Sequence, residues 1–329
     1  MWQNEFKEAY FQSLMDMVWR QWTRIGIAGH TPETNSPYTV DPEALLIFSA
    51  RLARLDQRLY DLIPEWLKQY GALININRLK TLLAKSHWKD TQSLLLILAY
   101  ATADGEKRWD KLISSLNAPT PPTPLFTDWD TGNALFIPTE DTTAPTYGFM
   151  RAPYHPSAKI STALPQGNAT LLLRLRAHYG CTARAEIILS LLCTSACSIQ
   201  ELSRNCRFSW GVIHSVVSEL ACGGIITCIP GIGSRKAYTL AEPDKIRHLL
   251  SVGSTSFPDW VSLFDILGSL WSTITHPRLA QLSEATIQHE INRCLTGRNR
   301  TALLTSGIPE LSSLTTETIH HLPSILQSL

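Results

Sequence analysis

One run of local signals, between residues 168 and 241, constrains this 329-residue chain more than any other stretch. Ala169 to His178 carries Leu171, Leu172 and Leu175 at helical spacing, and Gly180 ends it. Thr182 stands where it can cap a second helix whose Ile187, Ile188, Leu191 and Leu192 share a face. Ser198 caps a third helix, Ile199 to Cys206, with Glu201 placed to complete a capping box. Only Arg207, Phe208 and Ser209 separate that helix from the next, and so short a turn forces two helices to cross steeply. Ser209 is the expected N-cap of the fourth helix. Along it Ile213, Val216, Val217 and Leu220 face inward, leaving Trp210, Gly211, His214 and Ser215 outward. Gly223-Gly224 breaks the helix, Ile225 to Ile229 reads as a strand, Pro230 to Ser234 as a turn, and Ala237 to Leu240 as the returning strand.

This order is that of a helix-turn-helix with a β-hairpin wing. The second helix of such a pair lies in the major groove with its first turns against base edges. The candidate DNA contacts are therefore Ser209, Trp210, Gly211, His214 and Ser215, with Arg204 and Arg207 assisting at phosphate. Ser234, Arg235 and Lys236 at the hairpin tip would meet phosphates or the minor groove. Charge agrees with the assignment. Residues 168–241 hold seven basic side chains (Arg174, Arg176, Arg184, Arg204, Arg207, Arg235, Lys236) and three acidic ones (Glu186, Glu201, Glu219). That local +4 stands against +1 for the whole chain, hence −3 elsewhere.

The run Ser209 to Leu220 followed by Gly224-Ile225-Ile226 resembles the recognition helix and following strand of MarR- and ArsR-type regulators. Leu173 to Ala177, Gly180 and Ala183 to Ile187 resemble, more narrowly, a group of bacterial winged-helix transcriptional regulators, some of them encoded beside toxin-type nucleotidyltransferases. The resemblance implies a homodimer that binds double-stranded DNA at an operator of two half-sites and regulates transcription as a repressor or autorepressor. Its toxin association implies an alternative: an antitoxin or adaptor whose winged helix docks a protein partner, such as a neighbouring nucleotidyltransferase.

The flanks read as helical, so the expected fold class is mainly α, with a central winged helix-turn-helix between N- and C-terminal helical regions. Residues 1–117 form the first region. Phe6, Tyr10, Phe11, Leu14, Met15, Val18 and Trp19 lie on one stripe, and Asp41-Pro42-Glu43 supplies an N-cap, a first-turn proline and an acid. Helices follow to about residue 116, one stopped by Gly71 and one capped by Asn75. The stretch around 57–85 also resembles a helix-turn-helix; Arg78, Lys80, Lys85 and Lys89 make either a second basic surface or a solvated face. Residues 118–167 are a proline-rich connector that excludes a regular helix. Residues 242–329 turn helical again, with Trp260, Phe264, Leu267, Leu270 and Trp271 on one stripe.

Hydrophobic residues make up 44% of the chain, charged ones 17%, and there are ten Trp, which points to large buried interfaces between parts of the chain or between subunits. No apolar run reaches the roughly eighteen residues of a membrane span. Met1 to Glu8 is too acidic for a signal peptide, and seven scattered Cys fit reduced thiols, so a cytoplasmic setting without membrane association is expected. Six of the Cys (181, 193, 197, 206, 222, 228) fall in or beside the central helices. A metal- or redox-responsive repressor is one reading; small buried hydrophobes filling a tight core are the other. Cys193 and Cys197 are the pair at ligand-like spacing, and the paired thiols of metal-sensing ArsR regulators are absent from Ile199 to Cys206. The expectation is core filling, with neither metal nor cofactor. Asp128-Trp129-Asp130 reads as turn chemistry rather than a metal-binding carboxylate pair, since no glycine-serine phosphate loop precedes it. No Ser-His-Asp or Cys-His set stands out, and His320-His321 lacks zinc-site spacing, so no enzyme is expected.

Overall fold

The structure is mainly helical, with sixteen α-helices among the described residues, including seven opened by a side-chain N-cap bond. It is a computed structural model that describes residues 2–29, 36–102, 107–118, 120–137, 139–231, 236–315 and 317–329, apart from the side chains of Trp2, Gln3, Ala280, Gln281 and Glu284. In chain order come α1 (Trp2–Arg24), α2 (Pro42–Leu52), α3 (Gln57–Tyr70), α4 (Ile76–Lys85), α5 (Thr91–Thr102) and α6 (Asp110–Leu116). Two-residue strands β1 (Thr123–Pro124) and β2 (Phe149–Met150) follow. The central part holds α7 (Leu171–Tyr179), α8 (Ala183–Cys193), α9 (Ile199–Cys206), α10 (Trp210–Cys222), β3 (Ile226–Pro230), β4 (Lys236–Leu240) and α11 (Pro243–Leu249). The chain continues with α12 (Trp260–Ile274), α13 (Glu284–Leu295), α14 (Arg298–Leu304), α15 (Pro309–Ser312) and α16 (Leu322–Ser328).

Two hydrophobic cores organise these elements. The first joins α1–α6 to α12–α16, so the two flanking regions pack on each other. The whole predicted stripe of α1 is buried, together with Met17 and Trp22 on the same side; Trp22 donates to Ser49 of α2 and packs edge-on against Trp66 of α3, and α16 lies along the helix as well. Trp88 lies flat on α12: a Cβ added at Gly268 would sit 2.0 Å from its ring, so only glycine admits this approach. The second core belongs to α7–α10 and the hairpin, with Leu250 and part of α11 attached. α7 serves both: Leu171, Leu172 and Leu175 point into the second core while Leu173 enters the first.

The proline-rich connector is held by side chains rather than by regular structure. β1 and β2 pair in parallel, and the fully buried Arg151 forks onto Asp61 at 2.6 and 3.0 Å. The Asp128 carboxylate accepts from the backbone N–H and the hydroxyl of Thr131, both at 2.8 Å, and from Asp130 N–H at 3.1 Å, and these bonds hold it below the usual carboxylate range. Asp130 pairs with Lys7. This is a turn, and the two carboxylates serve separate partners.

Both ends of the central unit are tied to one extended segment of the N-terminal part. Val40 N–H donates to Ala169 at 3.1 Å and Thr39 N–H to Ser256 at 2.8 Å. The Asn168 amide donates to the carbonyls of Ser36 and Ser254 at 3.3 and 3.1 Å. The unit is mounted at its entrance and its exit on the same strand of chain.

Candidate nucleic-acid interface

Local chemistry sets the helices of the central unit as their caps suggest. The Thr182 hydroxyl accepts from Arg184 N–H at the start of α8. The reciprocal Ser198–Glu201 capping box opens α9, which ends where Arg207 adopts φ 61°, the left-handed conformation of a helix C-cap. The Ser203 hydroxyl donates to Phe208 O at 2.7 Å across the tight turn. Ser209 occupies the N-cap of α10, but its side chain makes no capping bond. Leu202, Cys206, Ile213, Val217 and Leu220 close the helix pair around buried α8.

The hairpin is antiparallel from Ile226↔Leu240 to Pro230↔Lys236, one residue further along the chain than predicted for its first strand. Cys197 and Tyr238 exchange backbone hydrogen bonds at 3.0 and 2.8 Å, which ties the middle of the returning strand to the residue before the N-cap of α9. Lys236 is exposed near the tip; Ser234 and Arg235 lie outside the described residues.

The outward face of α10 is open to solvent. Trp210 is 57% exposed and Val212 43%, and Gly211, His214, Ser215, Ser218 and Glu219 are exposed beside them. Trp210 and His214, one helical turn apart, stack with ring centroids 4.8 Å apart. The candidate residues Ser209, Trp210, Gly211, His214 and Ser215 thus form one continuous surface. It carries no cation of its own.

The local positive charge counted from sequence does not gather on that surface. Arg176 is fully buried between Glu43 and Glu186. Arg184 pairs with Glu219. Arg207, a predicted DNA contact, turns away from α10 and donates to the Asp259 carboxylate at 2.6 Å, the residue that caps α12. Arg174 is half-buried. Arg204 and Lys236 remain as exposed cations without an ion-pair partner among the described residues. Sequence counting missed this because Glu43 and Asp259 lie in the flanking regions.

Cys197 and Cys206 are buried in the second core, as small hydrophobes would be, whereas Cys222 and Cys228 are exposed. Burial pushes the thiols of Cys181 and Cys193 up to about 11 and about 12. Among the described residues no three His, Cys, Asp or Glu side chains come together as a metal site. No described helix is long and apolar enough to cross a membrane. Compared with protein-family models, curated proteins and solved structures, the chain matches none.

Proposed function

We propose that the chain is a sequence-specific regulator of transcription whose residues 168–241 act as a winged helix-turn-helix on double-stranded DNA. The observation that carries this reading is the free face of α10, which stands exposed from Trp210 to Glu219 beside a hairpin with Lys236 at its end. A helix so presented enters the major groove with its first turns on base edges. Trp210 supplies apolar contact suited to thymine methyl groups, while His214 and Ser215 supply hydrogen bonds. Lys236 meets phosphate, and two copies of the chain hold two half-sites about one helical turn apart. Occupancy of the operator is the regulatory event.

Selection of bound duplexes from a random pool by the full chain tests this reading. Enrichment of a motif repeated at a spacing of about 10 base pairs supports it, and a pool that stays random contradicts it. A second reading, docking of a protein partner, is favoured by Trp210, which is large, more than half exposed and stands on a helix face without a cation. A partner that copurifies at a fixed ratio and shields Trp210 from solvent distinguishes it.

A further inference from the structure

We propose that the DNA backbone beside α10 is held by the N-terminal part of the chain, through Lys85 of α4 acting with Arg204 of α9. The inference rests on the DNA-binding reading and extends it to a second element. A groove of about 520 Å³ runs between α4 and the α9–α10 pair. Asn77, Thr81 and Lys85, spaced four residues apart and so on one stripe of α4, form one wall; Arg204, Ser209 and Val212 belong to the other. No carboxylate lines it. Arg78 and Arg207 also border the groove, but Asp41 and Glu43 neutralise the first and Asp259 the second. Lys85 and Arg204 are exposed, and neither has an ion-pair partner among the described residues.

The groove therefore offers two uncompensated cations, with the Asn77 amide and the Ser209 hydroxyl as further donors on its walls, the complement of a run of phosphate oxygens. Its position supplies the rest of the argument. It opens at Ser209 and Val212, the first turn of α10, so the strand of a duplex seated on that helix runs over it. The exposed face of α10 lacks the charge to hold a polyanion, and this groove places that charge next to it.

Salt dependence tests the assignment, because each phosphate neutralised on duplex DNA contributes about 0.9 to the slope of log K against log salt. The full chain and its Lys85→Ala, Arg204→Ala and doubly substituted variants are titrated on a selected duplex and on an unrelated one. Each single variant is expected to lower the slope by about 1 and the double by about 2, with equal losses on both duplexes. Lys80→Ala, exposed on α4 but outside the groove, is expected to leave the slope unchanged. An unchanged slope in the double variant overturns the proposal while the DNA-binding reading stands. So does an effect of Lys80→Ala as large as that of Lys85→Ala. Failure of the unsubstituted chain to bind any duplex at low salt is a different result, and it removes the functional reading and this inference together.

Discussion

The guanidinium of Arg176 is clamped by Glu43, which lies 133 residues earlier: Nη1 donates to Oε1 at 2.7 Å and Nη2 to Oε2 at 3.0 Å. Neither side chain has any exposed area. Arg176 also donates to Glu186 at 2.6 Å and to the Leu73 carbonyl at 2.7 Å, and Arg78 joins Glu43 to Asp41 from the other side. Three carboxylates and two guanidiniums thus connect α2, α4, α7 and α8 inside the protein. Desolvation offsets most of what such pairs gain, so their clearest effect is to fix one orientation of the central unit on the flanking body.

Removing Arg176 leaves Glu43 and Glu186 buried with too little positive charge. Arg176→Met is expected to cost about 3–5 kcal/mol in urea unfolding. Arg176→Lys is also expected to destabilise, because an ammonium cannot fork onto two carboxylates. A loss below about 1 kcal/mol for Arg176→Met would remove the network's assigned role.

Acid should loosen the same junction. Burial pushes the Asp41 carboxyl up, but the charge and hydrogen bonds of Arg78, with the Ala44 N–H, outweigh it and hold the group below its ordinary range. A carboxyl whose pKa is lower folded than unfolded contributes fully above about pH 4, and that contribution disappears as pH falls through the folded value. Asp61 acts the other way, since burial leaves it raised despite Arg151. Unfolding free energies from pH 7 to pH 3 should therefore fall less steeply for Asp41→Asn than for the unsubstituted chain. Parallel curves would contradict this.

On the DNA-binding reading proposed above, Trp210 serves recognition and contributes little to stability. Being more than half exposed, it can be replaced by Ala with a change of about 0.5 kcal/mol or less in unfolding. Affinity for a selected duplex should drop about tenfold, the scale of one lost base contact, with the salt slope unchanged. Equal losses on selected and unrelated duplexes would exclude a base-reading role.

The cysteines separate by exposure. Cys222 and Cys228 should react first with an aromatic disulfide at pH 8, ahead of Cys181 and Cys193, whose thiols burial holds at about 11 and about 12. Mass spectrometry of briefly labelled protein gives the order. Rapid labelling of the buried Cys197 or Cys206, or bound zinc, would favour the sensor reading instead.

Much of this fold is legible in short windows. The caps at Asp41, Asn75, Thr182 and Ser198 each act within three residues, and all four make their bonds. The stripe of α1 and the glycine stops of α3 and α7 are likewise local properties. The charge around the candidate interface is not a local property. Arg176, Arg184 and Arg207 counted as surface charge, yet each finds a carboxylate, and for Arg176 and Arg207 the decisive partner is in another part of the chain. Arg78 and Lys85 stand two helical turns apart in sequence, but the first is buried in the ion network and the second is exposed at a groove. Composition cannot separate them; packing does.

The central claim is tested most directly by titrating the full chain, at fixed salt, onto a labelled fragment from upstream of its own coding sequence, with and without excess unrelated duplex. Binding that survives the competitor, and that weakens when Trp210 and His214 are both replaced by Ala, is the predicted result. Binding that unrelated DNA displaces completely, or that the double replacement leaves intact, would contradict a base-reading role for α10.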